Sequence, residues 1–229
     1  DSHHLELNFG RIKALDGIGF QVKRGELVSI IGPNGAGKTC LINCITGYYR
    51  PQKGAIVFEG QDILGLAPDK IARLGISRTF QNPSLYPNLT ALDNLMVARY
   101  IHTKATILDT MLHFGKSRRE EIGSRRLIEE IITFSRIEEL RNRQVAMMSY
   151  GQRKQVEIAR ALAMQPKIIL LDEPTSGLDD MMKEMVVELI LNIQQRGVTI
   201  ILVEHDMEVV MGLSQSVIVL DFGQKIAEG

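Results

Sequence analysis

A glycine-rich segment that ends in a lysine and a hydroxyl residue is the strongest chemical signal in this sequence. It reads Gly32-Pro-Asn-Gly-Ala-Gly-Lys38-Thr39 and lies between an apolar run ending at Ile31 and a helical run over residues 41–45. In that context the pattern predicts a phosphate-binding loop (P-loop), because glycines let backbone N–H groups approach phosphate oxygens and the following helix adds its positive dipole end. We expect Lys38 to reach the β- and γ-phosphates of a nucleotide and the Thr39 hydroxyl to ligate Mg²⁺.

Two adjacent carboxylates supply the second half of such a site. The run Ile168-Ile-Leu-Leu-Asp172-Glu173 leads from an apolar strand into Pro174. An acid at the end of a strand beside a P-loop commonly holds Mg²⁺, so we assign Asp172 to the metal and Glu173 to orienting or deprotonating the attacking water. The structural alternative is a pair of capping acids at a strand end. Together with the P-loop, the pair predicts a nucleotide hydrolase.

A second anion-binding element follows from the segment Met148-Ser-Tyr-Gly-Gln152. Ser149 and Gln152 form a capping-box pattern, which predicts a helix that runs to about Met164 and ends before Pro166. A helix N-terminus that carries a hydroxyl and a glycine is suited to a phosphate of its own. No Asn-Lys-x-Asp guanine-reading segment occurs in the sequence, which disfavours a GTPase.

Composition limits the scaffold that can position these residues. The chain has 229 residues, 45% hydrophobic and 24% charged, which is enough for one sizeable core and a smaller subdomain. Its 27 basic residues balance 27 acidic ones, so no net charge would hold it on nucleic acid. Cys40 and Cys44 are spaced for neither a disulfide framework nor a zinc site, and we interpret them as thiols of a cytosolic protein.

Apolar periodicity predicts an α/β fold. Runs without polar alternation at residues 27–31, 168–171, 199–203 and 217–220 are separated by helical stretches, as in a mainly parallel sheet covered on both faces. Shorter strands bounded by glycines at 5–9, 18–22 and 55–58 predict an antiparallel β layer. Helical spacing at 92–100 and 122–140 predicts a helical insertion.

We therefore expect three segments. Residues 5–81 form the first part of the nucleotide-binding core with the antiparallel layer, residues 82–148 the helical subdomain, and residues 149–229 the rest of the core. Residues 1–4 are expected to lie outside the fold, with His3 and His4 interpreted as tag residues and not as metal ligands. The apolar runs are too short to cross a bilayer, so any membrane role must come from partners.

These motifs, in this order, resemble those of the ATP-binding-cassette ATPases, and the resemblance covers residues 5–229. It implies a RecA-like P-loop NTPase core with ATP and Mg²⁺ as cofactors. The family pattern Leu-Ser-Gly-Gly-Gln is altered here, because Tyr150 replaces its first glycine. The retained positions and the other matching stations are Ser149, Gly151, Gln152, Gln81 in Arg78-Thr-Phe-Gln81, Asp179 in Ser176-Gly-Leu-Asp179, and His205 in Glu204-His-Asp206.

The resemblance also implies how these residues act. Two subunits pack head to tail, and each nucleotide is held between one P-loop and the partner's helix that begins near Ser149. Phe9 stacks on adenine, although it could instead be a core residue. His205 bonds the γ-phosphate, Gln81 touches Mg²⁺ or the water, and Asp179 runs along the dimer interface.

The resulting assignments fall into three groups. The candidate catalytic residues are Lys38, Gln81, Glu173 and His205. The candidate metal ligands are Thr39, Gln81 and Asp172. The candidate nucleotide ligands are Phe9, Asn34, Gly35, Ala36, Gly37, Lys38, Thr39, Cys40, Ser149, Gly151, Gln152 and Asp179, with Cys40 acting through its backbone N–H.

Three segments together resemble the ATPases of branched-chain or hydrophobic amino-acid uptake systems: Arg78-Thr-Phe-Gln81, Ser149-Tyr-Gly-Gln152 and Leu89-Thr-Ala-Leu-Asp-Asn-Leu95. That resemblance implies a homodimer, or a heterodimer with a sister ATPase, at the cytoplasmic face of the cell membrane. It also implies integral-membrane permease subunits, with residues 83–96 lining the groove that receives them, and indirectly an external solute-binding protein.

Other cassette proteins remain as alternatives. Soluble cassette ATPases of DNA repair or chromosome organisation insert long heptad segments between the P-loop and the second anion element, and this chain has no sustained heptads. Translation-type proteins carry two cassettes in one chain, whereas this chain has one. The ATPase of a lipid or lipopolysaccharide exporter is also a separate polypeptide and is disfavoured only weakly.

Overall fold

The computed structural model describes residues 1–102 and 116–229, so residues 103–115 of the predicted helical subdomain lie outside the described residues. The chain divides into two compact units, residues 1–81 with 167–229, and residues 82–166. No helix in these two described ranges is long and apolar enough to span a membrane. The helices are α1 (Lys38–Ile45), α2 (Pro68–Leu74), α3 (Ala91–Arg99), α4 (Lys116–Phe134), α5 (Tyr150–Ala163), α6 (Asp180–Gln195) and α7 (Met207–Leu213).

The first unit is built on the predicted parallel sheet. Its strand order is β10-β9-β3-β8-β7-β6, with all neighbours parallel except β10, which runs antiparallel on one edge. The central strands are buried on both faces, which explains their continuous apolar sequence. The strands are β3 (Leu27–Ile31), β6 (Ile76–Arg78), β7 (Ile168–Asp172), β8 (Thr199–Val203), β9 (Ser216–Asp221) and β10 (Gln224–Glu228).

The antiparallel layer has strand order β2-β1-β4-β5. Its strands are β1 (Ser2–Phe9), β2 (Ile12–Phe20), β4 (Lys53–Phe58) and β5 (Gln61–Asp62). Leu5, Leu15 and Ile18 of this layer join Ile30, Leu41 and their neighbours in one buried core.

The expectation that residues 1–4 lie outside the fold is wrong. Ser2 pairs with Phe20 of β2 and with Ile56 of β4, and His3 pairs with Ala55. The Phe20 N–H also donates to the buried Ser2 hydroxyl at 3.1 Å. Residues 2–4 therefore form the start of β1, because both of its neighbours supply backbone partners there.

The second unit is helical. Helices α3, α4 and α5 pack around Leu95, Ile128 and Val156, which are all fully buried. Helix α4 ends at Phe134 and not at residue 140, because Arg136 has a φ of 53°, and a separate 3₁₀ turn follows at Glu138–Leu140. Since α5 packs on α3 and α4, this compact unit extends to Pro166, whereas the sequence placed residues 149–166 with the core.

Candidate functional site

The carboxyl ends of the parallel strands collect most of the predicted site at one edge of the sheet. The P-loop follows β3, Arg78 ends β6, Asp172 ends β7, and His205 lies just after β8. These strands run parallel in one ladder, so their ends face the same side. Ligand sites of open α/β sheets lie at that edge.

The P-loop depends on Gly32 and Gly37. Gly32 has a φ of 149°, and a Cβ there would lie 2.1 Å from the Leu220 carbonyl oxygen of β9. Gly37 has a φ of 103°, and a Cβ there would lie 2.6 Å from the carbonyl oxygen of Ala14. The loop therefore packs closely between neighbouring strands. The Gly223 N–H also donates a hydrogen bond to the Ala36 carbonyl of the loop at 3.1 Å. Only glycine can provide this close approach.

Lys38 extends back along the loop that precedes it. Its ammonium group donates to the carbonyl oxygens of Gly32 at 2.7 Å and Pro33 at 3.0 Å. The side chain is 8% exposed, whereas Thr39, Asn34 and Gly35 are solvent-exposed. A lysine ammonium has three donors, and two of them bond to the loop here. These bonds hold the positive charge against the backbone of the loop. Such an arrangement is suited to a phosphate group.

Asp172 is buried, with 4% of its surface exposed, and it faces a guanidinium group. Arg78 Nη2 donates to Asp172 Oδ2 at 3.0 Å, and Arg78 Nη1 donates to the side-chain oxygen of Asn43 on α1. The Asp172 backbone N–H donates to the Thr79 hydroxyl at 3.3 Å. The predicted metal ligand is therefore held by two consecutive residues at the end of β6, Arg78 and Thr79.

Glu173 adopts a backbone conformation that few residues other than glycine tolerate. Its φ is 48°, which costs on the order of 1–3 kcal/mol. The Gln81 side-chain NH₂ group donates to Glu173 Oε2 at 2.8 Å, and the Glu173 N–H donates to the Val203 carbonyl at 2.9 Å. Strain of this kind clusters at functional sites.

His205 stands next to a fully buried carboxylate. Glu204, with 1% exposure, accepts hydrogen bonds from the His205 N–H at 3.0 Å and from the Thr175 N–H at 3.0 Å, and also from the Thr175 hydroxyl. The His205 ring nitrogen Nδ1 lies 3.7 Å from Glu204 Oε2, and the His205 side chain is 61% exposed. Glu204 thus ties the loop after Glu173 to the loop that carries the exposed imidazole.

Two loops at the same edge are fixed by helix caps. Asp179 accepts a hydrogen bond from the Met182 N–H at 2.9 Å and caps α6. Asp206 accepts from the Glu208 N–H at 3.0 Å and caps α7, and it also pairs with Lys183 of α6. The hydrogen bond from Lys183 lowers the pKa of Asp206 and raises the pKa of the lysine.

Phe9 is not a core residue. It is 47% exposed, and its ring contacts Tyr49 edge-on with centroids 5.3 Å apart. The exposed face of Phe9 is available for stacking, which leaves the adenine assignment as a prediction.

The two cysteines lie on α1, and both are free thiols. Burial raises the pKa of Cys40 and raises that of Cys44 to about 12. Both therefore stay protonated near neutral pH, and neither is a nucleophile there.

The helical unit carries the second anion element. Ser149 Oγ accepts from the Gln152 N–H at 3.2 Å, and the Ser149 N–H donates to Gln152 Oε1 at 3.0 Å, which confirms the predicted capping box. The Tyr150 ring lies beside the ammonium group of Lys154, one turn further along α5, with 5.6 Å between the nitrogen and the ring centroid. Ser149 itself is exposed.

The segment after Gln81 is fastened to α5 within the same unit. The Ser84 N–H donates to Glu157 at 3.1 Å, and Arg160 donates to the Ser84 carbonyl at 2.6 Å. Asn94 of α3, fully buried, bonds both the N–H and the carbonyl of Tyr86. Residues 84–86 therefore have a defined backbone, while the Tyr86 side chain is 53% exposed.

The donor set at the sheet edge suits Mg²⁺. Among the described residues, no three or more His, Cys, Asp and Glu side chains come together as a metal cluster. Thr39, Gln81 and Asp172 offer one carboxylate and neutral oxygens, and Mg²⁺ in nucleotide sites is held by one or two carboxylates plus substrate phosphates. The residues fit a metal that arrives with a polyphosphate.

The structure also assigns contacts to residues that sequence reasoning missed. In the sequence Arg78 stands out only as part of the Arg78-Thr-Phe-Gln81 segment, and no local pattern marks Asn43. Glu204 carried the same signal as Asp172, an acid directly after an apolar run, and could have been found from it. Nothing local to Thr175 marks it as a partner of Glu204.

Comparisons with known proteins agree with this geometry. A family model described as "ABC transporter" matches residues 15–176. The chain is 38% identical to the high-affinity branched-chain amino acid transport ATP-binding protein BraF of Pseudomonas aeruginosa, over 98% of this chain and 89% of BraF. It is also 38% identical to LivG of Escherichia coli K12, a protein with the same description, with the same coverage.

Solved structures give the same result. A nucleotide-free ATP-binding cassette from an ABC transporter superposes with a TM-score of 0.86 at 34% identity, covering 100% of this chain and 89% of that one. The dimeric, post-hydrolysis cassette MJ0796 bound to ADP and Pi superposes with a TM-score of 0.82 at 28% identity, covering 100% of this chain and 97% of that one.

Proposed function

Because this chain belongs to the ABC transporter family and is an ATPase of that family, we propose that it powers the uptake of branched-chain or other hydrophobic amino acids through separate membrane subunits. The support for this cargo is the resemblance to BraF and LivG, both described as branched-chain amino acid transport proteins, over nearly the whole chain.

The observation that carries the chemistry is the set of side chains at the carboxyl edge of the parallel sheet. Lys38 binds the β- and γ-phosphates from within the P-loop, and His205 reaches the γ-phosphate from its exposed position. Glu173, oriented by Gln81, accepts the proton of the attacking water. Phosphoryl transfer needs positioning and charge neutralisation more than covalent chemistry, and these groups supply both.

Thr39, Gln81 and Asp172 would hold Mg²⁺, which neutralises phosphate charge when bound. Phe9 stacks on the adenine ring with its exposed face. The backbone N–H groups of Asn34, Gly35, Ala36, Gly37 and Cys40 complete the phosphate cradle.

The second nucleotide contact comes from another subunit. Ser149, which is exposed, lies with Gly151 and Gln152 at a helix N-terminus. This N-terminus binds the γ-phosphate of a nucleotide on the partner's P-loop, while Asp179 lies along the shared interface. ATP then favours the closed pair, and hydrolysis removes the contact that holds it. The dimeric MJ0796 cassette with ADP and Pi supports this arrangement.

Closing and opening would drive the membrane subunits. The segment 83–96 carries the exposed Tyr86 and has its backbone fixed by Asn94 and Arg160, so a permease docked there would move with α5. In this proposal the protein lies at the cytoplasmic face of the membrane, bound to permeases that receive cargo from an external solute-binding protein.

The test is reconstitution with the permease subunits and the solute-binding protein of a branched-chain amino-acid uptake system. Proteoliposomes with ATP inside should accumulate labelled leucine only when binding protein is added outside. With the Glu173→Gln subunit, they should bind ATP but accumulate no leucine. ATPase stimulation by lipopolysaccharide with no leucine uptake would favour an exporter, and co-purification with a DNA-end-binding protein would favour a repair ATPase.

A further inference from the structure

Arg78 joins three elements of the first unit through one guanidinium group. Nη2 donates to Asp172 Oδ2 on β7 at 3.0 Å, and Nη1 donates to Asn43 on α1, while Arg78 itself ends β6. The side chains of the ion pair are 9% and 6% exposed. The guanidinium carbon also lies 4.9 Å from the ring centroid of Phe80. The group is therefore held on several sides.

Each hydrogen-bond partner of Arg78 is related to one proposed metal ligand. Asp172 is itself such a ligand. Asn43 lies one helical turn after Thr39 on α1, and residues four apart share one face of a helix. The bond from Arg78 to Asn43 thus links the helix that presents the Thr39 hydroxyl to the strand that presents the Asp172 carboxylate.

We propose that Arg78 is a positioning residue for the metal site, which fixes the Asp172 carboxylate relative to the helix that carries Thr39. This inference rests on the proposed metal role of those two ligands. With Arg78 bound to Oδ2, the orientation of the Asp172 carboxylate is set.

The same short segment also orients the second acid. Gln81, three residues after Arg78, donates to Glu173. Residues 78–81 therefore contact both members of the adjacent acid pair, Arg78 the one assigned to the metal and Gln81 the one assigned to the water. A displacement of this segment would disturb both together.

Arginine is suited to this role in a way that lysine is not. Its planar fork reaches two acceptors at a fixed angle, whereas a lysine ammonium is a point charge on a flexible stem. Partners that orient metal ligands typically change metal affinity by about 10–100-fold when they are removed. A pair that served only folding would leave metal affinity unchanged in any variant that still folds.

The experiment measures metal binding without turnover. Mn²⁺ is titrated into the protein with a non-hydrolysable ATP analogue, and free Mn²⁺ is read by electron paramagnetic resonance. We expect Arg78→Lys, which keeps the charge, and Asn43→Ala, which keeps the ion pair, to weaken Mn²⁺ binding by about 10-fold or more. Analogue affinity in EDTA should stay within about 2-fold of wild type, because the P-loop is intact.

A matched control breaks another ion pair beside the same strand. Lys167 precedes β7 and pairs with Glu59, and Lys167→Met should change neither affinity. Should Arg78→Lys fail to fold, as judged by circular dichroism, Asn43→Ala still tests the link to α1.

Several results would overturn the proposal. Unchanged Mn²⁺ affinity in the folded variants would leave Arg78 a folding residue, and an equal loss of analogue affinity in EDTA would mean that it supports the P-loop. Tighter Mn²⁺ binding would mean that the guanidinium only competes with the metal. An Asp172→Asn variant tests the metal role of Asp172 separately from the positioning role of Arg78. Normal Mn²⁺ binding in that variant would refute the metal assignment itself.

Discussion

Glu173 illustrates at the scale of one residue how backbone and side chain act together. Its left-handed φ of 48° places the carboxylate within 2.8 Å of the Gln81 amide, directly beyond the buried Asp172. Two neighbouring acids thereby face different surroundings, one against a guanidinium and one against an amide. Different surroundings allow different roles.

Replacing Glu173 by Gln should preserve ATP binding and remove turnover. The amide cannot accept a proton, and a general base typically contributes about 10²–10⁴-fold to the rate. We expect a fall of that size in phosphate release, together with an ATP-dependent dimer on size-exclusion chromatography. Glu59→Gln, an exposed acid paired with Lys167, is the control. Hydrolysis at the wild-type rate would remove Glu173 from the base role.

Glu204 is a second residue whose charge matters. Its buried carboxylate accepts from Thr175 and His205, and a Gln side chain offers only one acceptor oxygen to these donors. We expect Glu204→Gln to lower the free energy of unfolding in urea by about 1.5–3 kcal/mol, the range for hydrogen bonds to charged groups. Glu208→Gln, an exposed acid on α7, should leave it nearly unchanged. If both variants lost the same amount of unfolding free energy, the buried hydrogen bonds of Glu204 would not be the cause.

At the scale of elements, the parallel strands position the P-loop, and its glycines allow it to pack closely against them. The loop passes so close to β9 that Gly32 cannot carry a Cβ, while the turn between β9 and β10 bonds it through Gly223. An interior element that is contacted on several sides tolerates little displacement.

Gly32→Ala should therefore be severely destabilising. The new Cβ would lie 2.1 Å from a carbonyl oxygen at an unfavourable φ, so we expect a loss of about 3 kcal/mol or more in urea unfolding. Gly212→Ala in α7, where a Cβ meets nothing within 4 Å, should instead add about 0.5–1 kcal/mol through helix propensity. Similar losses for both substitutions would show that the close approach is not the cause.

The cap of α7 predicts a dependence on pH. Lys183 lowers the folded-state pKa of Asp206 below its ordinary 3.8, so the ion pair contributes stability above that value and loses it as the pH falls through the folded pKa. Wild type should be more stable than Asp206→Asn between about pH 5 and 7, and the difference should vanish in more acidic solution. Urea unfolding across this range measures it, and a constant difference would exclude the carboxylate charge as its source.

At the scale of the whole molecule, the proposed function assigns two complementary halves of a reaction site to the two units of one chain. The first unit holds the P-loop and both acids, and the helical unit presents Ser149 at an exposed capped N-terminus. In the proposed pair, each site takes one half from each subunit.

Mixing two inactive variants tests this sharing. Lys38→Ala loses the P-loop half and Ser149→Arg the helix half, so each alone should lack an intact site. Equal mixtures should recover about one quarter of the wild-type rate, since half the pairs are mixed and each holds one intact site of two. Separate solutions measured side by side are the control. No recovery on mixing, with dimers present, would argue against head-to-tail sites.

The sequence by itself determined the chemistry and most of the central strands. The P-loop, the acid pair after β7 and the capping box at Ser149 are local patterns, and the strands 27–31 and 199–203 lie where apolar runs predict them. Local patterns survive because a strand buried on both faces or a helix N-terminus requires the same residues wherever it occurs.

Which side chains meet depends instead on the fold of the whole chain. Arg78 and Asp172 are distant in the sequence and become partners because β6 and β7 pair in parallel register, with Arg78 opposite Leu170. The same holds for Thr175 with Glu204 and for residues 2–4, which lie in β1 because β2 and β4 flank them. Such contacts depend on strand order and register, and these follow from how the whole chain buries its apolar surface, which no short segment encodes.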